Sequence, residues 1–146
     1  MPTEYILAYH CAPAFAGIKP SNIASCSKHE NPNITVQIKM LNEKLNKNDI
    51  YIDVLCECGE RVLLMVYRKQ KLCEYLQSDD IKSFLCDNGY PKEFSLMKYL
   101  AILKSRIYAQ RLMNKEFPHE IGAFLGYPLH DIYGFINHKH QGCLLT

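Results

Sequence analysis

The stretch from Ile50 to Arg68 constrains the fold more than any other. Ile50, Ile52, Val54, Cys56 and Cys58 recur with period two up to Gly59, the spacing that places one set of side chains on one face of a strand. Gly59-Glu60 separates this run from a second β-type run, Arg61 to Arg68. A two-residue linker with glycine first suits a tight turn between antiparallel strands. The expectation is a hairpin at the centre of a sheet.

The flanking segments supply strands before it and helices after it. Tyr5 to His10 alternates and ends where Pro13 removes a backbone donor, which reads as a first strand. Ala12 to Gly17 is small enough for one or two helical turns, stopped by Gly17-Ile18-Lys19-Pro20. Ser21 to Ser27 fits strand or loop. Asn31-Pro32 reads as a cap and first turn, with Ile34, Ile38, Leu41 and Leu45 on one helical stripe. After the hairpin come Leu72, Tyr75 and Leu76, then a new cap at Ser78-Asp79-Asp80 with Ile81, Phe84 and Leu85 before Asn88-Gly89. Ser95 caps a helix striped by Leu96, Tyr99, Leu100, Leu103 and Ile107. Pro118 to Leu125 and Pro128 to Ile136 read as two short helices joined by Gly126-Tyr127-Pro128. The fold class expected is α+β, a small and mainly antiparallel sheet with several helices packed on it, in a single domain over residues 1–146.

A length of 146 residues with 48% apolar or aromatic residues is enough to bury a core without disulfide or metal staples. The formal charge of +2 is too small for the broad positive field of a nonspecific nucleic-acid binder. The N-terminus has an early acid, Glu4, no basic leader and only a short apolar stretch. The expected location is therefore the cytoplasm, with no membrane partner. Seven cysteines at irregular spacing cannot all pair within the chain, and free thiols are the expectation.

The candidate chemistry lies with thiols and imidazoles. His10, Cys11, Cys56, Cys58 and His119 are residue types that bind soft and borderline metals or haem. Cys56-Glu57-Cys58 is Cys-x-Cys without a second matched pair, so a finger-type zinc module is not indicated. Cys11 precedes a short helix with Lys19 nearby, and a helix N-terminus and a cation both favour the thiolate. Cys11 and His119 are thus the catalytic candidates, and Cys56, Cys58 and His119 the metal candidates. In Phe117-Pro118-His119-Glu120, the helix start favours Glu120 and a neutral His119. The zinc-protease pattern fails, because Ala123 stands where its second histidine would be. Ser95 and Lys98 match a Ser-x-x-Lys string, but the companion motifs are absent and Ser95 is explained as a cap.

Three segments carry a family resemblance. They are His10-Cys11-Ala12-Pro13 with Gly17-Ile18-Lys19-Pro20, then Cys56-Glu57-Cys58-Gly59, and Phe117 to Gly122 running into Phe124-Leu125-Gly126-Tyr127-Pro128. Together and in this order they resemble a bacterial family catalogued as domain of unknown function 3793, over almost the whole chain. The resemblance implies a small stand-alone bacterial cytosolic protein and no particular reaction. Members usually continue into a Gly-Tyr-Trp-Lys-Val-Tyr-like strand and a closing helix. This chain ends in Gly142-Cys143-Leu144-Leu145-Thr146, which leaves two readings open: a sheet edge available for self-association, or a natural truncation.

Two functional readings follow. In the first, His10, Cys11, Lys19, Cys56, Cys58, His119 and Glu120 line one pocket of a ligand-binding or redox-linked protein. In the second, the terminal helix pair around Gly126 is a helix-turn-helix-like interaction module. A DNA-reading role would fall to Leu129 to Asn137, but that helix has Asp131 and no Lys or Arg before Lys139, so phosphate contacts lack their usual donors.

Overall fold

The computed structural model describes Leu7, residues 11–113 and residues 117–133, with only the backbone at Cys58. The chain divides into two compact units, Met1–Cys73 and Glu74–Thr146, and each is described by itself. The architecture is α+β, with one three-stranded antiparallel sheet.

In the first unit, Ile50–Cys58 and Arg61–Arg68 form β2 and β3 of the expected hairpin. Gly59 takes φ 57° at the turn, a backbone conformation that disfavours a Cβ. Ser21–Ser27, which fits strand or loop by sequence, is β1, and it pairs with β3 from Ser21 opposite Tyr67 to Ser27 opposite Arg61. The order β1-β3-β2 makes β3 central, in keeping with its near-continuous burial from Val62 to Tyr67.

The sheet departs from the strict alternation read in β2. Val54 lies opposite Leu64 and Cys56 opposite Leu63, with Leu55 as the extra residue of a bulge between them. An inserted residue reverses the parity of everything beyond it. Ile52 and Val54 therefore share a face with Val66 and Leu64, while Cys56 shares the other face with Leu63. The expectation that Cys56 continues the Ile50-Ile52-Val54 face is corrected on this point.

On that first face, Ala24, Cys26, Val62, Leu64 and Val66 pack with Leu7, Cys11 and Ala14 and with Ile34 and Ile38 of α2, Ile34–Leu45. Leu41 and Leu45 pack on the same cluster, as the helical stripe requires. Each Val, Leu or Ile side chain among them, removed from water, contributes roughly 1.5–3 kcal/mol. The N-cap of α2 is Asn33, not Asn31. Asn31 instead donates from Nδ2 to the Ser27 carbonyl at 3.1 Å. At the outer side of β2, the Asn42 amide accepts from the Ile52 N–H at 2.8 Å and donates to its carbonyl at 3.0 Å. That occupies part of the sheet edge that would otherwise pair with another strand.

Of the segment expected as a first strand, only Leu7 is described. It is helical and buried, and its carbonyl accepts from the Cys11 N–H at 2.8 Å. His10 and the rest of that segment lie outside the described residues. The short helix α1, Ala12–Phe15, follows.

The second unit is helical in its described residues. The helix α3, Lys69–Leu76, runs across the boundary, and α4, Asp79–Asp87, and α5, Leu96–Leu112, follow. Ser95 caps α5 as expected, accepting from the Lys98 N–H at 3.4 Å. Its predicted stripe of Leu96, Tyr99, Leu100, Leu103 and Ile107 is the buried one. After α5 come α6, Ile121–Phe124, and a helical segment at 129–133.

Candidate functional site

The residues singled out by sequence divide between the units: Cys11, Lys19, Cys56 and Cys58 belong to the first, His119 and Glu120 to the second. No disulfide joins Cys11, Cys26, Cys56, Cys73 or Cys86. Cys11 is the N-cap of α1 and is fully buried. The helix is held at its other end, where Arg68 Nε donates to the Ala14 carbonyl at 2.8 Å and Lys71 Nζ bonds the Gly17 carbonyl. The Asn22 side chain accepts from the Ala14 N–H at 2.9 Å. These bonds account for the compact segment from Cys11 to Pro20 as a helical turn clamped onto the end of β3.

That clamp decides the chemistry of Cys11. Burial pushes its thiol up to about 12, the neighbouring Cys26 pushes the same way, and Lys19 opposes them without prevailing. A four-residue helix adds little dipole. The thiolate expected from the helix start and Lys19 is therefore disfavoured, and burial wins. Burial likewise lowers Lys19 while Cys11 acts in the other direction. The thiol nearest in effect to Cys11 is Cys26, which reads as incidental by sequence. Cys56 faces the opposite side of the sheet from Cys26, Val62 and Cys11, so a pocket shared by Cys11 and Cys56 is separated by the sheet itself. The Cys58 side chain lies outside the described residues. Among the described residues, no three His, Cys, Asp or Glu side chains converge as a metal site would require.

The second unit places His119 and Glu120 in a network that closes the turn after α4. Glu120 is only 2% exposed. Its Oε2 accepts from the Tyr90 hydroxyl at 3.0 Å and from Arg106 Nη1 of α5. The Arg106 guanidinium also stands 4.9 Å from the Tyr90 ring centre. Burial works against the charged Arg106, but the Glu120 carboxylate outweighs it, and the guanidinium is held above its ordinary range. Burial and the adjacent Glu120 raise the Tyr90 hydroxyl strongly, so it stays a donor. Gly89 permits this approach: it has φ 95°, and a Cβ there would lie 2.6 Å from Arg106 Nη2.

His119 is oriented by the same turn. Asn88 donates from Nδ2 to the Phe84 carbonyl at 2.7 Å, which leaves its Oδ1 as an acceptor 2.9 Å from His119 Nε2. Nε2 must then carry the proton, and in the neutral ring Nδ1 carries the lone pair. The Phe84 ring meets the imidazole edge-on at 6.1 Å.

Beside His119 lies an apolar cavity of about 270 Å³, lined by His119, Ile121, Gly122, Leu125, Asp131 and Ile132 with Tyr127. The turn between α6 and 129–133 shapes it. Gly126 takes φ 85°, the Tyr127 N–H donates to the Gly122 carbonyl at 3.0 Å, and the Ile132 N–H reaches Pro128 at 3.2 Å. The Tyr127 carbonyl accepts from the Tyr75 hydroxyl. A Cβ on Gly122 would lie 3.0 Å from Ile132 Cγ1, so glycine keeps α6 and the next helical segment close. Asp131 stands half-exposed at the rim, 2.9 Å from His130 Nε2.

Asn88, Tyr90, Arg106, Gly122 and Asp131 are site residues that sequence reasoning missed in this role. Asn88-Gly89 reads as a helix stop, and Asp131 as an argument against DNA binding. Asn88 and Tyr90 flank Gly89, which marks a turn and says nothing of a partner thirty residues away, and Arg106 and Asp131 carry no local signal at all.

No curated protein and no solved structure matches the chain. A family model described as "Protein of unknown function (DUF3793)" matches residues 7–146. The expected resemblance is thereby shown: the chain belongs to the DUF3793 family.

Proposed function

We propose that the protein binds a small, largely apolar molecule bearing an amine or other N–H donor in the cavity beside His119. What supports this reading is a cavity whose aliphatic walls, Ile121, Leu125 and Ile132, are joined by two residues that carry acceptor groups, His119 and Asp131. A volume of about 270 Å³ lies just below the range of drug-sized ligand sites, roughly 300–1,000 Å³. That suits a fragment-sized ligand. The cavity lining has no lysine or arginine, so an anionic ligand finds no counter-charge while a cationic one finds Asp131. Specificity then rests on hydrogen bonds that an isosteric acid cannot make.

This reading replaces the thiol-centred pocket with one centred on His119. Protonated, buried Cys11 supports packing rather than nucleophilic attack. The test is ligand-observed NMR with small alicyclic and aromatic amines against the wild type, His119→Phe and Asp131→Asn. Amine binding that weakens at least tenfold in either variant is expected. Binding indifferent to both substitutions would contradict the proposal.

The interaction-module reading keeps one favourable observation. In the helical segment 129–133, Ile132 is buried while His130, Asp131 and Tyr133 are exposed. Residues 134–137 of that helix lie outside the described residues. The segment's acid remains the argument against phosphate contact.

A further inference from the structure

The longest helix of the second unit has an outer face that its own fold does not use. One side of α5 is buried through Tyr99, Leu100, Leu103 and Ile107. The opposite side exposes Met97, Ala101, Ser105, Tyr108 and Leu112, spaced at i, i+4, i+8, i+11 and i+15, which is one continuous helical stripe. Met97 is 83% exposed and Leu112 68%. Four of the nine large apolar side chains exposed among the described residues, Met97, Tyr108, Leu112 and Met113, lie on α5 or its C-cap. Scattered apolar residues need no explanation, whereas a concentration on one face marks an interaction surface.

The stripe is bulky at its ends and small in its middle. Ala101 and Ser105 leave a shallow notch between Met97 and Tyr108, which stand about 16 Å apart along the axis. Such a notch accepts the projecting side chains of a facing helix. The charges of α5 are all positive: Lys98, Lys104, Arg106 and Arg111, with no acid between Leu96 and Leu112. Arg106 is engaged by Glu120. Lys98 and Arg111 flank the stripe near its two ends.

We infer that this face docks an amphipathic helix of a partner protein, with an apolar stripe bordered by Glu or Asp. Charge complementarity selects that occupant. A second copy of the chain packing α5 on α5 would set Lys98 against Arg111 in the antiparallel arrangement and like against like in the parallel one, which is repulsive either way. An anionic lipid surface is met by protruding bulky groups, and the centre of this stripe is a notch of Ala and Ser.

The test uses the full chain and two helical peptides that share a leucine stripe at i, i+4, i+7 and i+11, one flanked by Glu and one by Lys. Fluorescence anisotropy should show the Glu peptide binding at least tenfold tighter at low salt, with that preference shrinking as salt rises. Ala101→Leu fills the notch and Ser105→Glu places a negative charge in it. Both positions are exposed, so circular dichroism should be unchanged while Glu-peptide binding falls at least tenfold. Equal binding of the two peptides, or no binding, would overturn the inference. So would retention of the Glu peptide by both variants, dimerisation lost in Ser105→Glu, or stronger attachment to phosphatidylserine vesicles than to the peptide.

Discussion

Glu120 is the residue on which the second unit depends most visibly, because one nearly inaccessible carboxylate is satisfied by both Tyr90 and Arg106. Removing one partner of such a pair leaves the other's charge without compensation. Glu120→Ala is expected to lower the unfolding free energy by about 3 kcal/mol, measured by urea denaturation. A change below about 1 kcal/mol would mean that water replaces the carboxylate. Gly89→Ala should weaken the same network, since its Cβ would collide with Arg106 Nη2. At Cys11 the expectation concerns pH. Its thiol moves from an ordinary 9.0 to about 12 on folding, so the folded state favours the protonated form. The stability this contributes is complete below about pH 9 and is lost as pH rises from there toward 12. Thiol alkylation of the folded protein near pH 8 should accordingly spare Cys11, and fast labelling there would contradict its burial.

At the scale of elements, the bulge at Leu55 separates what the letters suggest from what the sheet does. The run Ile50, Ile52, Val54, Cys56, Cys58 alternates without a break in sequence, yet Cys56 leaves the face that Ile50, Ile52 and Val54 share. A bulge leaves the period intact on paper and reverses it in space. The hairpin itself was legible, because Gly59-Glu60 supplies local turn chemistry. So were the stripes of α2 and α5, where spacing alone assigns the buried face. The strand β1 was not, since Ser21 to Ser27 is half polar and owes its conformation to pairing with β3. Oxidising the folded protein with copper phenanthroline should give no Cys11–Cys56 disulfide by peptide mapping, because the sheet lies between the two. Finding it as the main product would overturn the register. Ser95→Ala should cost α5 about 0.5–1 kcal/mol by thermal unfolding, toward the low end for a cap because the bond is long.

For the molecule as a whole, two of the three signature segments have plain structural duties. Cys11 to Pro20 fastens a short helix to the sheet of the first unit, and His119 to Pro128 shapes the cavity of the second. His119 and Glu120 were legible as a pair of interest, but their partners were not. Asn88 and Tyr90 are about thirty residues away and Arg106 fourteen, and no local pattern encodes such contacts. If the cavity is the binding site, an occupant stabilises the folded chain by mass action, about 2.7 kcal/mol at a concentration one hundred times its dissociation constant. The most direct test is calorimetric titration of the full chain with cyclohexylamine and, separately, with cyclohexanecarboxylate, which share a ring and differ in the charged group. Saturable binding of the amine alone, abolished by His119→Phe, is the predicted result. Preference for the carboxylate, or equal heats from both, would contradict it.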